Sequence, residues 1–115
     1  MVTGSRRTDS RVRRVVQVLN QDPSCTIQEL AHNCQISTSR LSHLFKNEIG
    51  MNVKNYRLDR RLQAAAALVV LSGIPIKEIA YKVGYSHTSS FVRAFKSHFG
   101  LSPAGYRSRQ LEQST

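Results

Sequence analysis

The chain has 115 residues, 40% of them hydrophobic, and carries a formal charge of +10 from 17 Lys+Arg against 7 Asp+Glu. Its longest apolar run, Ala64 to Leu71, falls far short of the roughly 20 residues a bilayer span needs. No charged segment followed by an apolar one opens the chain, so neither a membrane protein nor an exported one is expected.

Residues 1–9 read as a disordered or added tail ahead of the first ordered element. Val12, Val15, Val16 and Leu19 then mark one face of an amphipathic helix. Thr26 with Glu29 has the form of a capping box, and Ile27, Leu30, Ala31 and Cys34 give the helix it starts an apolar face. Ser37 is placed to cap the next helix, whose inner face is Leu41, Leu44 and Phe45, and Gly50 is a left-handed stop. These elements make a first helix-turn-helix subdomain over 10–50, a short helix, a tight turn and a second helix. A linker helix follows over 51–72, free of breakers, with Leu58, Leu62, Ala65 and Val69 along one face. The second subdomain, 73–111, starts with Pro75 in a first helical turn and buries Ile76, Ile79, Ala80 and Val83. Gly84 opens its turn, Ser86 caps, Phe91, Ala94 and Phe95 face inward, and Gly100 ends the helix. Ser102-Pro103 starts a last helix, leaving 112–115 as a tail. The expectation is an all-α fold of seven helices, two helix-turn-helix subdomains joined by a long central helix.

The two halves repeat one another. Thr26-Ile27-Gln28-Glu29-Leu30-Ala31 matches Pro75-Ile76-Lys77-Glu78-Ile79-Ala80 at an offset of 49, and after a one-residue insertion the offset is 50. Ser39 then meets Ser89, Leu41 meets Phe91, Phe45-Lys46 meets Phe95-Lys96, Gly50 meets Gly100, and Tyr56-Arg57 meets Tyr106-Arg107. The turn glycine Gly84 has Gln35 as its counterpart, a residue that strains a position needing positive φ.

The stretch Arg61-Leu62-x-x-Ala65-x-x-Leu68-Val69, followed by Ile76-x-Glu78-Ile79-Ala80-x-x-Val83-Gly84-Tyr85, is one part of a longer pattern. It continues as Phe91-x-Arg93-Ala94-Phe95-Lys96-x-x-Phe99-Gly100-x-Ser102-Pro103-x-x-Tyr106-Arg107. Over roughly Ser10 to Arg107 the sequence resembles the DNA-binding domain of the AraC/XylS family of bacterial transcription regulators. The resemblance implies a sequence-specific regulator of the activator type that binds double-stranded promoter DNA in the cytoplasm, at the nucleoid, and touches RNA polymerase. Such regulators usually carry an effector or dimerisation domain as well. The resemblance therefore implies a monomer for this module, with any dimer made through a missing domain.

A helix-turn-helix places its second helix in the major groove. Opposite the expected buried faces lie Thr38, Ser39, Ser42 and His43 in the first unit and Thr88, Ser89, Val92 and Arg93 in the second, and these are the candidate base readers. Arg93 suits bidentate contact to guanine, Thr88 and Val92 methyl contact to thymine, and the serines adaptable or water-mediated bonds. Arg40, Lys46, Arg57 and Lys96 are phosphate candidates, with Lys54, Arg60 and Arg107 beside them, while Arg61 is read as structural, paired with Asp59 or Glu78. A solvated helix face would favour Glu, Lys and Gln; these faces are hydroxyl-rich and acid-free over 37–47 and 86–99. A linker helix of about 20 residues spans roughly 30 Å, close to the ~34 Å between successive major grooves. Two unlike recognition helices, about 37–48 and 87–98, are thus expected in adjacent grooves of an asymmetric site.

Other classes fit less well. Cys25, Cys34, His32 and His43 match no zinc-finger spacing, and Cys34 takes the core position of Val83, so no metal is expected and a disulfide is not either. No nucleophile–His–acid set and no Gly-rich phosphate loop can be assembled, so neither an enzyme nor a cofactor is expected. An RNA reader would expose aromatics for stacking, and here they fall on core positions. The alternative is a basic helical protein-interaction adaptor, which most of the apolar positions, used up by the core, argue against.

Overall fold

A computed structural model describes residues 9–71 and 73–114 of the chain. Among them are seven helices and no strand: α1 (Ser10–Gln21), α2 (Ile27–Asn33), α3 (Thr38–Ile49), α4 (Val53–Leu71), α5 (Ile76–Lys82), α6 (Thr88–Phe99) and α7 (Pro103–Ser114). This is the all-α, seven-helix architecture expected from the pattern of caps and apolar faces. The chain divides into two compact units, 1–58 and 59–115, so the boundary falls inside α4.

The first unit is built around Val12, Val15 and Leu19 of α1, Leu30 and Ala31 of α2, Leu41 and Phe45 of α3, and Val53 at the start of α4, all buried. The second is built around Leu62, Ala65, Ala66 and Val69 of α4, Ile79, Ala80 and Val83 from α5 and its end, and Phe91 and Phe95 of α6. The offset of 50 carries Val12, Val15 and Leu19 onto Leu62, Ala65 and Val69. The same offset carries Tyr56-Arg57 onto Tyr106-Arg107. The later part of α4 therefore does in the second unit what α1 does in the first, and the start of α4 does what α7 does. The repeated object is a four-helix unit, and α4 is two of its helices run together. Leu58, expected on the inward face of the linker helix, is 36% exposed. It lies where α4 passes from one core to the other.

Local chemistry sets most of the ends. Thr26 and Glu29 form the full capping box: the Thr26 hydroxyl accepts from the Glu29 N–H at 3.1 Å and the Thr26 N–H donates to the Glu29 carboxylate at 2.8 Å. Ser37 caps α3 by accepting from the Arg40 N–H. Gly50 and Gly100 end α3 and α6 in the left-handed region, at φ 84° and 81°, where glycine has no Cβ to clash.

Four details differ from the sequence expectation. Asp9, assigned to the tail, is the N-cap of α1, its carboxylate accepting from the Arg11 N–H at 2.8 Å; residues 1–8 of that tail lie outside the described residues. Pro75 is the N-cap of α5 and not its first turn; it stands where Thr26 stands and, having no side-chain oxygen, caps with its backbone carbonyl alone. His87, not Ser86, precedes α6 and supplies no side-chain cap, because the inserted residue shifts the helix start by one. At the other end α7 runs to Ser114, into the stretch read as a tail, with Ser102 accepting from the Gly105 N–H at 3.0 Å and Pro103 as first helical residue.

The turns inside the two units adopt the same conformation with unlike residues. Gly84 sits at φ 94° and Gln35 at φ 59°, the latter the one positive-φ non-glycine among the described residues. A side chain with a Cβ costs roughly 1–2 kcal/mol in this region. Gln35→Gly is therefore expected to raise stability by about 1 kcal/mol, read as a later urea midpoint at unchanged slope; an earlier midpoint would show that the Gln35 side chain itself holds the turn.

The Arg11 side chain and backbone both donate to the Asp9 carboxylate, which holds its pKa down from 3.8 to about 2. A carboxyl whose folded pKa is depressed stabilises the fold above its unfolded value and loses that contribution as pH falls through the folded one. Acid unfolding should thus draw on Asp9 between about pH 4 and pH 2. Asp9→Asn keeps the cap oxygen and removes the charge, so its stability should fall less steeply over that window; an identical acid limb in both proteins would refute the assignment.

Candidate nucleic-acid interface

Each expected recognition helix is turned by two buried residues one turn apart, Leu41 and Phe45 in α3 and Phe91 and Phe95 in α6, all at 0% exposure. Residues at i and i+4 share a helix face, so those two points fix the rotation of the helix and the arc left outside. Phe45 packs on Tyr56 with ring centroids 5.3 Å apart, and Phe95 packs on Tyr106 at 5.4 Å, the same pair in the two repeats. The second unit extends this contact into a cluster, with Phe91, Phe99 and Tyr85 adding ring pairs at 4.6–5.7 Å.

On the outer arc of α3, Thr38, Ser39, Arg40, His43 and Lys46 are exposed and Ser42 is half-buried. On that of α6, Ser89, Arg93 and Lys96 are exposed, Thr88 is half-buried, and Val92 packs partly against the core. The structure therefore groups the candidate base readers into two sets, one per unit, with Val92 the least available member. The helices begin at Thr38 and Thr88, one residue later than the sequence ranges, with residues 37 and 87 as caps.

The arginines divide into two kinds. Arg57, expected at phosphate, donates from Nε to the Cys25 carbonyl at 2.6 Å and from Nη2 to the Ser24 carbonyl at 3.2 Å. Its counterpart Arg107 donates to the Val69 and Ile74 carbonyls at 2.9 and 2.8 Å. In both units this arginine ties the last helix of the unit to the residue just before the helix-turn-helix. Arg61 is 9% exposed; its Nε donates to the Val83 carbonyl at 2.9 Å and its guanidinium lies 3.9 Å over the Tyr85 ring. It is structural, as expected, and it holds a carbonyl and an aromatic face. Arg40 and Arg93, by contrast, stand exposed on the recognition helices.

The acids are placed the other way round. Asp9 accepts from Arg11, Asp22 from Ser24, Glu29 from Thr26, Glu48 from the Asp9 N–H, and Asp59 from Arg60 and Gln63, with His98 Nε2 at 3.1 Å. Asp59 is held below the usual carboxylate range, first by its bond from Arg60. These five acids are thus engaged by other groups of the fold, and the outer arcs of α3 and α6 carry none. Cys34, half-buried, packs on the first core, with its thiol 3.9 Å from the Arg11 carbonyl.

Two half-sized copies of one helix-turn-helix unit, each with a second helix whose outward arc bears no acid, define the class of protein. The comparisons with known proteins agree. A family profile described as a helix-turn-helix domain matches residues 30–109. The arabinose operon regulatory protein of Escherichia coli (strain K12) is 34% identical over 102 residues, covering 86% of this chain and 35% of that protein. The HTH-type transcriptional regulator AlkR of Acinetobacter baylyi is 38% identical over 82 residues, 71% of this chain and 27% of that one. Among solved structures, the C-terminal domain of AraT, a response regulator from Geobacillus stearothermophilus, superposes with a TM-score of 0.84 at 33% identity, covering 90% of this chain and 88% of that one. The DNA-binding domain of AdpA, solved with a target DNA, shares the fold at a TM-score of 0.82 and 20% identity, covering 90% of this chain and 95% of that one. The chain belongs to the AraC/XylS family of transcriptional regulators and corresponds to their DNA-binding domain. It spans about a third of the length of the curated relatives it matches.

The position of Arg57 yields a test. Losing a donor to two partly buried carbonyls should cost about 1–3 kcal/mol, so Arg57→Ala is expected to lower the urea midpoint clearly. A midpoint that stays put while DNA affinity falls would return Arg57 to the phosphate contacts.

Proposed function

We propose that this chain binds double-stranded DNA sequence-specifically by seating α3 and α6 in adjacent major grooves of one asymmetric site, and that it is the DNA-reading part of a transcription activator. The observation that carries the reading is the contrast between the repeats. The frame residues that orient the two helices are the same or similar, and Thr38 and Ser39 recur as Thr88 and Ser89, while two outward positions differ: Ser42 and His43 in α3, Val92 and Arg93 in α6. Two helices presented alike with unlike contact residues read unlike sequences. Thr38, Ser39, Ser42 and His43 take one half of the site; Thr88, Ser89, Val92 and Arg93 take the other. Arg40, Lys46 and Lys96 are assigned to phosphates, which position the protein and carry no sequence information.

The guanidinium of Arg93 is the strongest single reader, since a bidentate contact to guanine discriminates by about 1–3 kcal/mol. His43 at the matching position makes the first head the weaker of the two. By its family the chain is further assigned a contact to RNA polymerase, a place in the bacterial cytoplasm, and dimerisation through a domain outside this sequence.

A footprint on promoter-bearing fragments should show protection across two successive major grooves with no palindrome. On the site so found, Arg93→Ala should lose discrimination against a scrambled duplex by roughly tenfold or more, whereas Lys46→Ala should weaken both duplexes alike and flatten the salt slope by about one unit. Protection of a single groove would defeat the two-headed reading; equal losses on both duplexes for Arg93→Ala would remove that residue from base reading.

A further inference from the structure

The outward arc of a recognition helix depends on its roll, which the two buried residues fix, and on its tilt, which depends on what holds its end. In α6 the end is tied by a side chain. His98, in the last turn, brings Nε2 to 3.1 Å from Asp59 Oδ1 on α4, and its ring meets Phe99 edge-on with centroids 4.8 Å apart. Phe99 packs in turn on Phe95 and Tyr106, at 4.6 and 5.5 Å, so the tie runs into the aromatic cluster that seats the helix.

The chemistry of this tie follows from Asp59. Its carboxyl is held below the usual carboxylate range, first by its bond from Arg60, and an ionised carboxylate only accepts. The shared proton therefore sits on Nε2. A neutral imidazole supplies it in one tautomer, whereas an imidazolium supplies it with a charge, and charge-assisted bonds are roughly twice as strong. The last turn of a helix also favours a cation. Among the described residues no other charged group is bonded to this imidazole: not Lys77, Glu78 or Lys82 on α5, nor Arg107, Arg109 or Glu112 on α7. Lys96 shares the last turn of α6. The side chains of His98 and Asp59 are 31% and 30% exposed, so water screens the gain from charge and keeps it modest.

The first unit makes the same tie with other chemistry. The offset of 50 carries Asp9 onto Asp59 and Glu48 onto His98. There the Asp9 N–H donates to the Glu48 carboxylate at 3.4 Å. Each repeat thus joins the end of its second helix to the helical segment behind it, one through a carboxylate and the other through an imidazole. Imidazole is the side chain whose charge ordinarily changes between about pH 5 and 8.

We propose that His98 is a positioning residue of the second recognition helix: through Asp59 it sets the tilt of α6, more firmly when the imidazole is protonated, so that the half-site under Arg93 is discriminated better in mild acid. The inference rests on the reading of α6 as a groove-inserted helix and adds a pH dependence confined to that half of the site.

The test uses the whole chain at fixed salt on the footprinted duplex and on versions with the α3 half or the α6 half scrambled. The ratio of affinities for intact and scrambled duplexes cancels general changes of charge. For the α6 half the wild-type ratio should rise about twofold between pH 8 and pH 6, an exposed ion pair being worth about fivefold at most. His98→Gln keeps a donor that does not titrate, and Asp59→Asn removes the acceptor's charge; in both the ratio should be the same at the two pH values. His98→Lys, charged throughout, should hold the acid-side ratio at both. His43→Gln and His87→Gln should leave the rise for the α6 half intact. A rise that persists in His98→Gln, with or without an overall loss, makes the residue structural only and overturns the proposal, as does a wild-type ratio above one that is flat in pH. A wild-type ratio of one at every pH overturns the reading of α6 itself.

Discussion

Everything outward on this protein depends on how two phenylalanines are buried. Phe45 and Phe95 sit in the middle of α3 and α6 at 0% exposure, each against a tyrosine from the last helix of its unit. Burying a side chain of this size is worth about 1.5–3 kcal/mol, and its position on the helix dictates which way the helix is rolled. Ser39, His43 and Lys46, or Ser89, Arg93 and Lys96, then point outward because they lie opposite. The outward surface of each helix is a by-product of core packing, which is why it can change residues without changing place.

The duplication shows that separation directly. Positions that fasten a unit recur: the phenylalanine and tyrosine pair, the arginine that grips the backbone ahead of the helix-turn-helix, the glycine that ends the recognition helix. Some positions that face solvent have diverged, His43 to Arg93 among them, as expected where a substitution usually moves stability by less than about 0.5 kcal/mol. The two cores are not equally furnished. The second carries a connected set of aromatic rings and the buried Arg61 over Tyr85, whereas the first has Leu41 in place of Phe91 and tolerates Gln35 at positive φ.

Charge follows the same division. Carboxylates that cap helices or bind arginine stay close to the protein surface they stabilise, and Arg40, Lys46, Arg93 and Lys96 stand exposed on α3 and α6. A field of one sign on the contact side speeds encounter with a polyanion and makes binding sensitive to salt.

Local chemistry was enough for the sequence to settle the helix count, the capping box at Thr26 and Glu29, the cap at Ser37 and the stops at Gly50 and Gly100, because each depends on residues within a turn of one another. The repeat, legible as matched residues, also located α3 and α6 to within one position. The sequence did not show that α4 serves two cores, since a continuous apolar stripe looks the same whether one core or two receive it. Nor did it show the work of Arg57 and Arg61, whose acceptors are backbone carbonyls 32 and 22 residues away. Every residue offers a carbonyl, so side-chain identity marks none of them, and only folding decides which one an arginine reaches.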